Sequence, residues 1–229
     1  YGSSLGLYWF LIKTGHQVTV VSPNDCPDFL KWLPGQDQIE IFEANQERGK
    51  EIMHAAELVF TLDFNAFHRL GELMEPVMEE IKPVYVMIDH HQQPDTVKYM
   101  YSDVTICSTS QMVYQFIHLL GDTHMIDSNI ATCLYLGIMT DTGSFRFPCT
   151  TSNTHIIVAD LIHKKTGKSF NPNADNVITD IEITHAMEWV MRHFHIVTRS
   201  DTKGKLSPQD FWEWAIKLKN TDEGLHTAS

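Results

Sequence analysis

Val84-Tyr85-Val86-Met87-Ile88-Asp89-His90-His91 is the stretch whose reading decides the fold. Its first five residues are apolar, mostly β-branched or aromatic, and too few for an ordinary helix, so they read as a buried strand. An acid and two imidazoles follow at the carboxyl end of that strand, before the polar Gln92-Gln93-Pro94-Asp95. Open α/β sheets bind their ligands at that end. Three ligand-type side chains in a row there point to a metal and phosphate site rather than to solubility.

Outward from this strand, β-rich runs alternate with segments of helical spacing. Residues 17–21, 39–42, 58–62 and 104–107 read as further strands. Ser3 or Ser4 is expected to cap a helix running to Thr14, with Gly15 closing it. Helices are also expected over 28–33, 45–56, 67–81, 110–120, 129–140 and 153–164. The segment 129–140 is nearly all apolar and is expected to be buried. Strand-helix alternation of this kind predicts an α/β fold, a Rossmann-like parallel sheet with helices on both faces. After Gly167 the character changes. A polar Asn/Pro stretch reads as a linker, and residues 168–229 as a linker plus a small C-terminal helical appendage.

Bulk properties narrow the classes. A chain of 229 residues can bury one sizeable core, and 43% hydrophobic with 20% charged residues is an ordinary globular composition. A formal charge of −12 argues against a broad basic groove for long nucleic acid. A small phosphorylated substrate is still compatible, because divalent cations reverse the local field. Cys26, Cys107, Cys133 and Cys149 have no zinc-type spacing and read as reduced thiols of a cytoplasmic protein. No apolar run approaches the roughly 20 residues that span a bilayer, so no membrane partner is expected.

Two further acids complete a constellation. Asp63 ends the strand 58–62, and Asp141 ends the buried helix in Asp141-Thr142-Gly143-Ser144-Phe145-Arg146. Carboxylate oxygen mixed with imidazole nitrogen favours manganese or magnesium over structural zinc. Arg146 suits a bidentate phosphate contact or a surface ion pair. Asp63 taken alone also suits an N-cap for the helix that starts near Ala66.

Asp89-His90-His91 together with Asp141-Thr142-Gly143-Ser144-Phe145-Arg146 resembles the DHH phosphoesterase superfamily, in particular its bifunctional oligoribonuclease and phosphoadenosine-phosphate phosphatase branch, related to RecJ exonucleases. The resemblance covers residues 2 to about 165, and makes 1–167 a phosphoesterase domain. It implies hydrolysis of short oligoribonucleotides or adenosine 3′,5′-bisphosphate by water activated between two manganese or magnesium ions, in a cytoplasmic protein compatible with a homodimer. By the same resemblance Asp63 bridges the two ions, and His90 and Asp141 hold the second. His91 contacts the substrate phosphate, and Asp89 holds the histidine pair. Arg146 and His155 are added as substrate contacts from position and chemistry.

Two departures from the family pattern accompany these expectations. The family's first motif, a His and two Asp, would precede Gly2, and the chain reads as cropped at its amino end. No Gly-Gly-Gly-His follows residue 167, so the family's usual C-terminal substrate domain is expected to be missing and the segment by itself to be inactive. Two other readings stay open: a manganese-type inorganic pyrophosphatase, and a non-catalytic binding or regulatory module that kept the fold. His185, His193 and His195 read as a solvated or interfacial helix, and Trp189, Trp212 and Trp214 as packing anchors.

Overall fold

In the computed structural model, which describes residues 1–167, three central strands pair in parallel. They are β3 (Leu58–Leu62), β4 (Val84–Asp89) and β5 (Tyr99–Ser102), in the order β3-β4-β5. Leu62 stands opposite Ile88, and Asp89 opposite Ser102. A separate parallel pair, β1 (Val20–Ser22) and β2 (Ile39–Ile41), makes the expected sheet a two-piece one. The helices are α1 (Gly2–Lys13), α2 (Gln46–Ala55), α3 (Gly71–Glu80), α4 (Thr109–Leu119), α5 (Ser128–Asp141) and α6 (Ser152–Thr166). The linker, the helical appendage and the histidines and tryptophans assigned to it lie outside the described residues.

Strand alternation feeds two cores, because successive side chains leave opposite faces of a sheet. Phe60 and Leu62 of β3 and Ile88 of β4 join a core built from α1, α4, α5 and α6, with Phe10, Met112, Leu134 and Leu161 at its centre. Val59 and Tyr85 pack against a second core formed by Phe42, Met53, Met74 and Val77. The expected covering of both faces is present. Burial of apolar area at ~25 cal/mol per Å² is what holds such layers together.

The ends of several elements differ from the sequence-based expectation, each for a local reason. α1 starts one residue before Ser3 and has no side-chain cap. Ser3 is instead buried within the helix. The strand expected at 104–107 is a turn, and the edge strand lies at Tyr99–Ser102. Asp103 causes this: its Oδ1 accepts from both the Thr105 backbone N–H at 2.9 Å and the Thr105 hydroxyl at 2.7 Å. Such a side-chain turn competes with the ladder. The helix expected over 28–33 is a 3₁₀ turn over Asp28–Leu30, and the one expected over 67–81 is a 3₁₀ turn, Phe67–Leu70, that runs into α3. At the start of that turn the Phe67 N–H is taken by Asp95 Oδ2 at 3.1 Å, so the capping role open to Asp63 belongs to Asp95.

α1 crosses α5 where Gly2 meets Gly137. A methyl group on Gly137 would run into the Ser110 side chain, with the Gly2 Cα at 3.4 Å. Glycine to alanine inside a helix ordinarily gains about 1 kcal/mol. Overpacking costs about 1–3 kcal/mol, so the clash wins. Gly137→Ala is expected to destabilise the domain by that order, read as a lower urea midpoint at unchanged slope.

Candidate metal and phosphate site

The parallel register of β3 and β4 delivers Asp63 and Asp89-His90-His91 to one sheet edge. Asp63 leaves its strand with φ 67°, a left-handed conformation that Asp tolerates better than most residues. Its N–H still donates to the Ile88 carbonyl at 3.3 Å. One ligand atom each from Asp63, His90 and His91 falls within 4.8 Å of the others.

Each imidazole is held from behind. His90 Nδ1 lies 3.1 Å from the Ile106 carbonyl, which can only accept, so Nδ1 carries the proton. His90 Nε2 then faces Asp63 Oδ1 at 3.6 Å. Asp89, with no exposed surface, grips His91 twice: Oδ1 accepts from Nδ1 at 2.7 Å and Oδ2 accepts from the His91 backbone N–H at 2.9 Å. Carboxylate or carbonyl partners behind ligating imidazoles fix tautomer and ring orientation.

Asp141, at the end of α5, is not one of the three converging groups. It lines the same cleft as Asp63, with Gly2, Ser3, Ser110 and Thr140. Its Oδ2 accepts from the Ser108 hydroxyl at 2.6 Å. Burial, with the Asp63 charge adding to it, pushes the Asp141 carboxyl up to about 6 against the opposing Ser108 bond. Burial also acts upward on Asp63, but His90 and the Thr109 hydroxyl outweigh it and hold that carboxyl below its usual range. The facing Asp63 carboxylate is the main reason His90 is raised, against desolvation.

Arg146 and His155, placed by sequence among the substrate contacts, are both exposed. Arg146 Nε donates to the Gly143 carbonyl at 2.8 Å, and the His155 ring sits 5.7 Å from that of Phe145. His155 belongs to the first turns of α6, and Arg146 to the turn after Asp141. In that turn Gly143, Ser144 and Phe145 all have positive φ, at 57°, 59° and 63°. Ser108 and Thr109 are the site residues that sequence reasoning missed. Thr109 donates to Asp63 Oδ1 at 2.9 Å. The run Ser108-Thr109-Ser110 carries only a capping signature in sequence, and Ser108 does cap α4.

The donor set fits a divalent cation. Oxygen and imidazole nitrogen converge without thiolate, and His90 Nε2 and Asp63 Oδ1 face each other at 3.6 Å. A cation bound there would compete with protons on His90 and on Asp141. Manganese affinity is therefore expected to rise with pH through the titration of His90 and of Asp141 near 6, and to level off above both. Calorimetric titrations across that range read this directly, and an affinity independent of pH would count against these ligands.

Comparison with known proteins gives the same neighbourhood. Residues 1–138 match the DHH family, N-terminal domain. The chain is 32% identical over 162 residues to the bifunctional oligoribonuclease and PAP phosphatase NrnA of Thermus thermophilus, covering 70% of this chain and 45% of that protein. It is 27% identical over 165 residues to the NrnA of Bacillus subtilis, covering 71% and 48%. The chain thus spans about half the length of these curated relatives. A crystal structure of an exopolyphosphatase-related protein from Bacteroides fragilis superposes with a TM-score of 0.70 at 32% identity, covering 84% of this chain and 56% of that one.

Proposed function

The chain belongs to the DHH family, and on that premise we propose that it forms the catalytic domain of a manganese-dependent, or magnesium-dependent, phosphoesterase. The substrates proposed are short oligoribonucleotides or adenosine 3′,5′-bisphosphate, in keeping with the names of the two NrnA relatives. The observation that carries this reading is the convergence of Asp63, His90 and His91 at one sheet edge.

Among this chain's own residues, Asp63 and His90 would hold the cation, with Asp141, which lines the same cleft, as a further carboxylate. When bound, divalent cations supply Lewis-acid polarisation of the phosphoryl group and make an attacking water more acidic. His91 has a different task. With Nδ1 held by Asp89, the other ring nitrogen is assigned to a phosphate oxygen of the substrate, where negative charge builds. Asp89 holds the ring in that orientation through its bonds to Nδ1 and to the His91 backbone N–H. Arg146, from the turn beyond Asp141, is assigned to a second phosphate oxygen, and His155 to the same outer rim.

These roles separate by measurement. In a protein carrying this chain, His90→Ala is expected to weaken manganese binding, while His91→Gln leaves it near wild type and lowers kcat roughly 100-fold. Loss of metal affinity in His91→Gln would make it a ligand instead.

The overall reading is tested by turnover of a diribonucleotide and of adenosine 3′,5′-bisphosphate with manganese, set beside pyrophosphate and polyphosphate. Nucleotide release that vanishes in Asp63→Asn is expected. Preference for pyrophosphate or polyphosphate would move the chain to a pyrophosphatase-type activity, and absence of any turnover together with absence of metal binding would make it a non-catalytic module.

A further inference from the structure

Residues 106–109 touch three groups of the site in succession. The Ile106 carbonyl accepts from His90 Nδ1 at 3.1 Å, the Ser108 hydroxyl donates to Asp141 Oδ2 at 2.6 Å, and the Thr109 hydroxyl donates to Asp63 Oδ1 at 2.9 Å. One short segment, from neither β3 nor β4 nor α5, thus reaches side chains carried by all three.

The two hydroxyls have no slack. Ser108 and Thr109 are both fully buried. The Ser108 oxygen accepts the Ser110 N–H at 3.1 Å as the cap of α4, so its single proton is left for Asp141. Thr109 is the first residue of α4, one place beyond the cap. Its bond to Asp63 is therefore separable from helix capping. A hydroxyl that donates to one lone pair of a carboxylate fixes its rotation and aims the remaining lone pairs. The α4 amino terminus, which has no acid of its own in the first turn, also favours negative charge nearby.

We propose that Thr109 and Ser108 are positioning residues, whose hydroxyls aim the Asp63 and Asp141 carboxylates at a divalent cation in the cleft. This rests on the phosphoesterase reading above and names the residues that prepare its metal site. A purely structural role, in which the hydroxyls only satisfy buried carboxylates, predicts altered folding stability with unaltered metal affinity.

The test is calorimetric titration of the full chain with manganese alone, beside thermal unfolding of the metal-free protein. Thr109→Val keeps the shape and removes the donor. It is expected to weaken manganese binding about 10- to 100-fold while staying folded, and Thr109→Ser, which restores the hydroxyl, is expected to recover wild-type affinity. Should Thr109→Val fail to fold, Ser108→Gly decides the same question, because glycine is tolerated at a cap and cannot donate to Asp141. Wild-type affinity in a folded variant that lacks the hydroxyl overturns the positioning role alone. Absence of manganese binding in the unsubstituted chain overturns that role and the metal site together.

Discussion

The register that sets Leu62 of β3 opposite Ile88 of β4 is the constraint on which the site depends. Parallel strands advance in the same direction, so residues that follow paired positions emerge at the same edge. Asp63 and Asp89 do so because neither strand can slip. A one-residue slip would turn Phe60, Leu62 and Ile88 out of one core and Val59 and Tyr85 out of the other. The apolar packing on both faces therefore fixes the geometry of polar groups that take no part in it.

Around that edge, the charges are arranged in opposition. Asp63 is held below its usual range and Asp141 above it, although both line one cleft. The difference is in their partners. Asp63 faces His90 and receives Thr109, whereas Asp141 has the Ser108 hydroxyl, a buried setting and the charge of Asp63. The Asp63 charge works against ionisation of Asp141, an opposition that a divalent cation beside both carboxylates would relieve.

How much of this was legible in sequence depended on where the deciding energy lay. The strands at 58–62 and 84–88 were legible by composition, because their residues after the exposed Leu58 and Val84 meet apolar neighbours on both faces. The strand expected at 104–107 failed because Asp103 folds that segment onto its own side chain, while the actual edge strand exposes Tyr99 and Met100 and so lacks the expected pattern. Likewise Ser3 looked like a cap but is buried in the helix next to the close α1–α5 approach at Gly2 and Gly137, a tertiary demand with no local signature. The triplet Asp89-His90-His91 was readable as ligand chemistry from residue types alone. The hydroxyls of Ser108 and Thr109 were not, because their partners lie 33 and 46 residues away.

Asp63 shows how local strain and global packing meet. Along β3, Phe60 and Leu62 face the core shared with α4, while Val59 faces the other. Continued as regular strand, residue 63 would follow Val59 and point away from α4. Its positive φ breaks the alternation at the last step. The carboxylate then turns toward Thr109 and His90, while the backbone stays tied to β4 through the Ile88 carbonyl. Such a conformation costs of order 1–3 kcal/mol for most residues, somewhat less for Asp, and persists only where the surroundings over-determine it. Here they do: the bond to Ile88 sets the backbone, and the Thr109 hydroxyl and His90 ring set the side chain. The strain thus falls at the one position where the strand leaves its alternation, carrying a carboxylate from a strand that belongs to both cores into the cleft it shares with Asp141.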